Sequence, residues 1–232
     1  MNKRLLLASA ATVILASAGQ ANAGDFYVSV LGGANWWQDQ SQVSGPNTTV
    51  INFDADTGFF IGGAIGLHLD RWLHGLRAEV EASYRRNDIN GNWHTSDTET
   101  GTVDGHISTF SVMANVWYDI DLGSKVRPYI GGGVGWARSH FDGAILTSSG
   151  ATRSGEGTTA FDQAGFAYQL GVGFNYEVMP GVDLGVGYRY TVDPRLHFKE
   201  GGEFGGEGFG GEGYTLDNRS HTVALTLTVD ID

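Results

Sequence analysis

The chain has 232 residues, with 26 acidic and 14 basic side chains, a net charge of −12, no cysteine, 36 glycines and only 4 prolines. The acidic balance excludes nucleic acid as a partner, because phosphate binding needs a basic surface, and without cysteine there is no disulfide framework even for an exported chain. Many glycines with few prolines fit strands that bend around a closed sheet; a disordered linker would be rich in both.

Residues 1–23 open with Lys3 and Arg4, continue as an apolar run over 5–18 and close on Ala21-Asn22-Ala23. That is the pattern of a cleavable signal peptide, and the apolar run falls short of the roughly 20 residues a helical span needs. The expected organisation is therefore a signal peptide over 1–23 and a single domain over 24–232. No later stretch approaches a helical span, so residence in a membrane would have to be by strands.

The first predicted strand sets Phe26, Val28 and Val30 on one face, and the second, over 57–69, sets Phe59, Ile61, Ile65 and Leu67 there. The third shows the alternation most clearly. Leu76, Ala78, Val80, Ala82 and Tyr84 form one face, while Arg77, Glu79, Glu81, Ser83 and Arg85 form the other. The fourth offers Phe110, Val112, Ala114, Val116 and Tyr118; the fifth, from Val126, offers Ile130, Val134 and Trp136 between glycines. The sixth, seventh and eighth carry stripes from Phe166 to Tyr176, Leu184 to Tyr190 and Val223 to Ile231. Each stripe is about the nine to eleven residues a tilted strand needs to cross the hydrocarbon.

Connections alternate in length. Tight turns are expected over 70–75 and 119–125 and at Met179-Pro180-Gly181, long loops over 37–56, 86–105, 139–159 and 192–215. Short turns at one rim and long loops at the other are the signature of an all-β, eight-stranded antiparallel up-and-down transmembrane β-barrel. Closure follows, since an open sheet in lipid would leave a row of backbone groups unpaired at several kcal/mol each. Aromatic residues gather near strand ends on the apolar parity, as interfacial girdles do. Trp36, Phe59, Tyr84, Phe110, Trp136, Phe166 and Tyr190 mark the loop side; Trp72, Tyr118 and Tyr176 mark the turn side.

Two segments carry a resemblance. MANVWYDIDLGSKVRPYIGGGVGWAR over 113–138 and FAYQLGVGFNYEVMPGVDLGVGYRY over 166–190 resemble the small outer-membrane β-barrel family of porin-like surface antigens, opacity-type proteins and the OmpA-type membrane domain. The shared pieces are Asn-x-x-Tyr-Asp before a turn, Pro-Tyr-x-Gly-x-Gly-x-Gly, Ala-Tyr-Gln-x-Gly-x-Gly and Leu-Gly-x-Gly-Tyr-Arg-Tyr, in that order. The resemblance implies a Gram-negative outer membrane, periplasmic termini, lipopolysaccharide and the barrel-insertion machinery as partners, and surface-antigen or adhesin-like contact with a host or surface ligand through the loops. Such barrels usually end on an aromatic residue read during insertion, whereas this chain ends Val229-Asp230-Ile231-Asp232. No cell-wall-binding domain is expected after the last strand.

The inward parity collects Arg77, Glu79, Glu81, Arg85, Asn115, Gln169, Glu177, Asp183 and Arg189. Eight strands enclose just enough space for side chains to fill, so these groups are expected to form a hydrogen-bonded structural plug, with Glu79 or Glu81 paired to Arg77 or Arg189, because a buried unpaired ion is costly. A proton or ion path is the functional alternative. His106 and Ser108 share the outward parity; some outer-membrane barrels are lipid A deacylases with outward His and Ser, but there an Asn follows the Ser and here Thr109 does. The stretch over 201–214 repeats Phe-Gly-Gly-Glu-Gly and reads as a flexible acidic loop. His94, His140, His197 and His221 show no paired ligand spacing, so neither metal nor cofactor is expected. The expected function is non-enzymatic, that of an integral envelope protein presenting loops. A lipid-modifying barrel enzyme and a soluble periplasmic ligand-binding barrel are the alternatives.

Overall fold

A computed structural model of the protein describes residues 25–38, 40–44, 49–94, 100–148, 156–197 and 215–231. The expected signal peptide over 1–23 and the repeat over 201–214 lie outside them. The strands are β1 (Phe26–Trp37), β2 (Gln40–Ser44), β3 (Thr49–Ala55), β4 (Gly58–His68), β5 (Leu76–His94), β6 (Thr100–Asp119), β7 (Val126–Ser148), β8 (Glu156–Met179), β9 (Val182–His197) and β10 (Thr215–Ile231). β1 pairs with both β4 and β10, and β5 with both β4 and β6, so eight of the strands close an antiparallel barrel in the order β1-β4-β5-β6-β7-β8-β9-β10.

The barrel is inverted relative to a soluble protein. Side chains of even number on β1 and on β5 through β9, and of odd number on β4 and β10, face outward, and large apolar groups there stay open: Val30 is 64 % exposed, Ile65 62 % and Leu225 69 %. The inward positions are buried and mostly polar. An apolar exterior around a polar interior is the arrangement a hydrocarbon surround selects, and it excludes the soluble ligand-binding reading, which needs the apolar faces inside.

Each tight turn is closed by a glycine with positive φ: Gly75 (82°), Gly123 (65°) and Gly181 (74°). A side chain there would be strained, and Gly75 also approaches the Asp119 carbonyl so closely that a Cβ would lie 2.3 Å from its oxygen.

At the other rim the structure departs from the expected long loops. The β5–β6 ladder runs unbroken from Leu76/Tyr118 to His94/Thr100, and the β7–β8 ladder reaches Leu146/Glu156. The connection after β1 holds the β2–β3 hairpin, which continues the sheet by pairing with β5. The physical reason is that a backbone ladder persists wherever two strands stay adjacent, whereas the apolar stripe stops at the membrane boundary. The β8–β9 ladder does stop early, at Tyr168/Val192. Two residues further on, Pro194 has no N–H to donate, and a Cβ on Gly165 would meet its ring at 3.3 Å.

Candidate functional site: the polar lumen

The odd parity of β5 aims Arg77, Glu79, Glu81, Ser83 and Arg85 inward, each 8 % exposed or less. Glu79 is a hub. Its carboxylate accepts from Tyr27 Oη at 2.9 Å, Asn115 Nδ2 at 3.0 Å and Trp117 Nε1 at 2.8 Å. Three donors satisfy a buried carboxylate without a cation on it. Glu81 takes the cation: Arg189 Nη1 pairs with it, and Asn115 Nδ2 adds a contact at 3.2 Å. Asn115 Oδ1 in turn accepts from Gln169 Nε2 at 2.7 Å. Gln169, Asn115, Glu79, Glu81 and Arg189 thus form one connected network across β5, β6, β8 and β9.

Toward the turn side, Arg77 forms a fork on Asp119, Nε at 2.6 Å and Nη2 at 2.9 Å, between the rings of Tyr27 and Tyr129 at 5.5 and 5.8 Å. Asp183 pairs with Arg127 at that rim, while Glu177 sits opposite Asp183 in the register and is half-buried. Toward the loop side, Arg85 bonds Asp193 and Ser220, both at 3.0 Å. Beside it, Thr222, Asn35 and Asn87 are linked, as are Trp37, Asn218, Ser139 and Thr109.

Seven of the nine expected lumen residues are therefore buried: Glu79, Glu81, Asn115, Gln169 and Arg189 in one connected network, Arg77 joined to it through the Tyr27 hydroxyl at 3.5 Å, and Arg85 in a second set. Glu177 and Asp183 belong to the turn rim. Sequence reasoning missed Asp119, Asp193, Arg127, Tyr27 and Trp117. The first two lie on the parity of Asn115 and Arg189, which was a usable signal, but which base each one meets depends on the register. Of the expected pairings of Glu79 or Glu81 with Arg77 or Arg189, the structure forms Glu81 with Arg189, while Arg77 faces Asp119.

The space left is small. One cavity of about 20 Å³ touches Arg77, Glu79 and Arg189, and another of about 10 Å³ touches Arg85 and Asp193. Each has room for about one water. The interior is filled partly because glycines on β4, β8 and β9 stand opposite large rings: a Cβ on Gly187 would lie 2.1 Å from Tyr129 Oη, and one on Gly66 2.2 Å from the Tyr27 ring.

Outside, His106 is flanked in the register by Asp88 and Asp142, and Ser108 by Arg86 and His140. His140 Nδ1 lies 3.2 Å from Asp162, which also takes a fork from Arg138 at 3.0 and 3.2 Å. That guanidinium holds the Asp162 carboxyl below its ordinary range. Among the described residues, Ser108 makes no hydrogen bond to His106 or His140.

A polar lumen inside an apolar wall, with girdles at both rims, is matched by comparison with known proteins. The family described as outer membrane protein beta-barrel domain matches residues 5–228. This chain belongs to that family. An outer membrane protein of Gluconacetobacter diazotrophicus is 34 % identical over 201 residues, covering 78 % of this chain and 51 % of the relative, so the chain spans about half the length of that curated relative. Neisserial surface protein A has the same fold with a TM-score of 0.53 and 18 % identity, over 89 % of this chain and 97 % of that one. So does OprG of Pseudomonas aeruginosa, at 0.52 and 14 %, over 91 % and 99 %. The protein is a β-barrel of the Gram-negative outer membrane.

Proposed function

We propose that this outer-membrane barrel is non-enzymatic: a stable envelope element whose lumen network is a structural plug and whose long rim meets the host or environment. The observation that carries the reading is the contrast between the two rims. One ends in turns of a few residues, and the other extends β5, β6, β7 and β8 well past the aromatic band. Loops built that way offer surface for adhesion, with the turns and both termini on the periplasmic side after removal of the signal peptide. Lipopolysaccharide surrounds the wall, and the insertion machinery places it. The packed lumen supports the plug over an ion path, because every buried Asp, Glu and Arg named above has a partner of opposite charge or several neutral donors.

The test is antibody labelling of intact cells with an epitope inserted after Gly206. Labelling without permeabilisation is expected. Labelling only after the outer membrane is opened would overturn the orientation. The lipid-modifying alternative has its own test: loss of a lipid A modification in cells carrying His106→Ala would establish it, and an unchanged profile removes it.

A further inference from the structure

The outward faces of three strands share an order that neither the apolar stripe nor the lumen explains. Moving from the membrane toward the loops, β5 presents Tyr84, Arg86 and Asp88, and β7 presents Trp136, Arg138, His140 and Asp142. β10 presents His221, Arg219 and Asp217, with His221 packed on Tyr188 and Tyr190. Aromatic, then arginine, then aspartate: the sequence repeats at one level around the wall. Arg195 of β9 joins it by sharing Asp217 with Arg219, at 2.8 and 2.7 Å. These four are the arginines that face outward among the described strand residues, in a protein whose net charge is −12. We propose that this belt is a binding surface for the phosphate groups of outer-leaflet lipid A, a phosphorylated glycolipid. The proposal rests on the orientation given above, with the long rim outside.

Height supports it. The aromatic band marks the boundary between hydrocarbon and headgroups. A position two residues on stands roughly 7 Å further along the strand, at the depth of the headgroup phosphates. Chemistry supports it as well. A guanidinium meets phosphate through paired N–H donors and is less strongly hydrated than an ammonium. The neighbouring carboxylates hold three of the arginines in place through one or two of their five N–H groups: Nε and Nη2 of Arg138 on Asp162, and Nε of Arg195 and Nη2 of Arg219 on Asp217. Arg86 forms a looser ion pair, its Nε 3.7 Å from Asp88. Carboxylates also select the source of the phosphate. Asp88, Asp142 and Asp217 lie on the solvent side of the arginines, so an anion arriving from water meets negative charge first. A phosphate carried by a lipid arrives from below, past the aromatics, and does not.

The test uses the full-length protein folded in detergent micelles, with folding checked by heat-modifiable gel migration. Fluorescent lipid A and its dephosphorylated form are titrated against the wild type, the pair Arg86→Gln/Arg138→Gln and the pair Arg195→Gln/Arg219→Gln. The wild type is expected to prefer the phosphorylated lipid. Each double variant should bind it about 25-fold more weakly, at about fivefold per arginine at an anionic surface; the turn-side Arg71→Gln should match the wild type. Equal affinity for both lipids, or unchanged affinity in folded double variants, would overturn the proposal. So would displacement of lipid A by inorganic phosphate at equal concentration, which would mean a site for soluble anions. The assay in micelles is independent of orientation, so its failure and that of the surface-labelling experiment remain separate results.

Discussion

Arg189 is clamped between a carboxylate and two rings: it pairs with Glu81 while its guanidinium carbon lies 5.3 Å from the Trp117 ring centre and 5.8 Å from that of Phe60. The side chains of the pair are 7 % and 1 % exposed. Removing one partner of a buried pair strands the other, which costs more than replacing both. Arg189→Met should therefore destabilise the barrel by about 3 to 5 kcal/mol, and Glu81→Leu with Arg189→Met by much less. Urea unfolding in lipid vesicles checks this; equal losses in the single and double variants would contradict it.

Val80 is outward, midway along the apolar stripe of β5, with neighbours Ile65 and Ala114 in the register. A cation there must sit in hydrocarbon. Val80→Arg is expected to cost about 2 to 4 kcal/mol, the range for basic residues near the midplane, while the same change at exposed Ile120, next to a turn, should cost about 0 to 1. The comparison is again made by unfolding in vesicles, and equal costs would place the membrane differently.

Gly187 faces the Tyr129 hydroxyl. Gly187→Ala puts a Cβ 2.1 Å from Tyr129 Oη but 3.2 Å from its Cζ, so the clash is mainly with one atom. The substitution should cost about 1 to 3 kcal/mol, as overpacking does, and Tyr129→Phe should restore most of it. An additive double variant would show that the strain lies in the backbone.

Trp117 and Tyr129 meet edge to face, 5.6 Å between ring centres, beside the larger cavity. If side chains stop the lumen, Trp117→Ala with Tyr129→Ala should give stepwise conductance in planar bilayers while the wild type stays silent. Steady conductance from the wild type would refute the plug.

Much of this was legible in the chain because a strand's side chains alternate strictly. The run from Leu76 to Arg85 assigns every residue to a face without knowledge of its neighbours, and the glycine turns mark where strands reverse. Partnership is a different kind of information. Arg77 finds Asp119 and Arg85 finds Asp193 because of register and barrel curvature, which no local pattern encodes. Tyr27 and Trp117 fall on the inward parity with no charge to mark them, yet both donate to Glu79. The strand extensions were hidden for a third reason. Beyond the girdle the outer face carries charged groups such as Asp88 and Asp142, while Ile89, Ile107 and Phe141 are buried inside. The outward apolar stripe that marks a strand thus ends while the hydrogen-bond ladder continues.

The early end of the β8–β9 ladder has a consequence for how the outer part can change. Above Tyr168/Val192 the cylinder divides into two ribbons: β2, β3, β5, β6, β7 and β8 remain stitched in one, β9 and β10 in the other. A substitution or insertion in one ribbon does not have to be accommodated in the hydrogen-bond ladder of the other. The long rim can thus diversify piecewise, like a sleeve slit at the cuff, while the embedded band beneath it stays constrained on all sides.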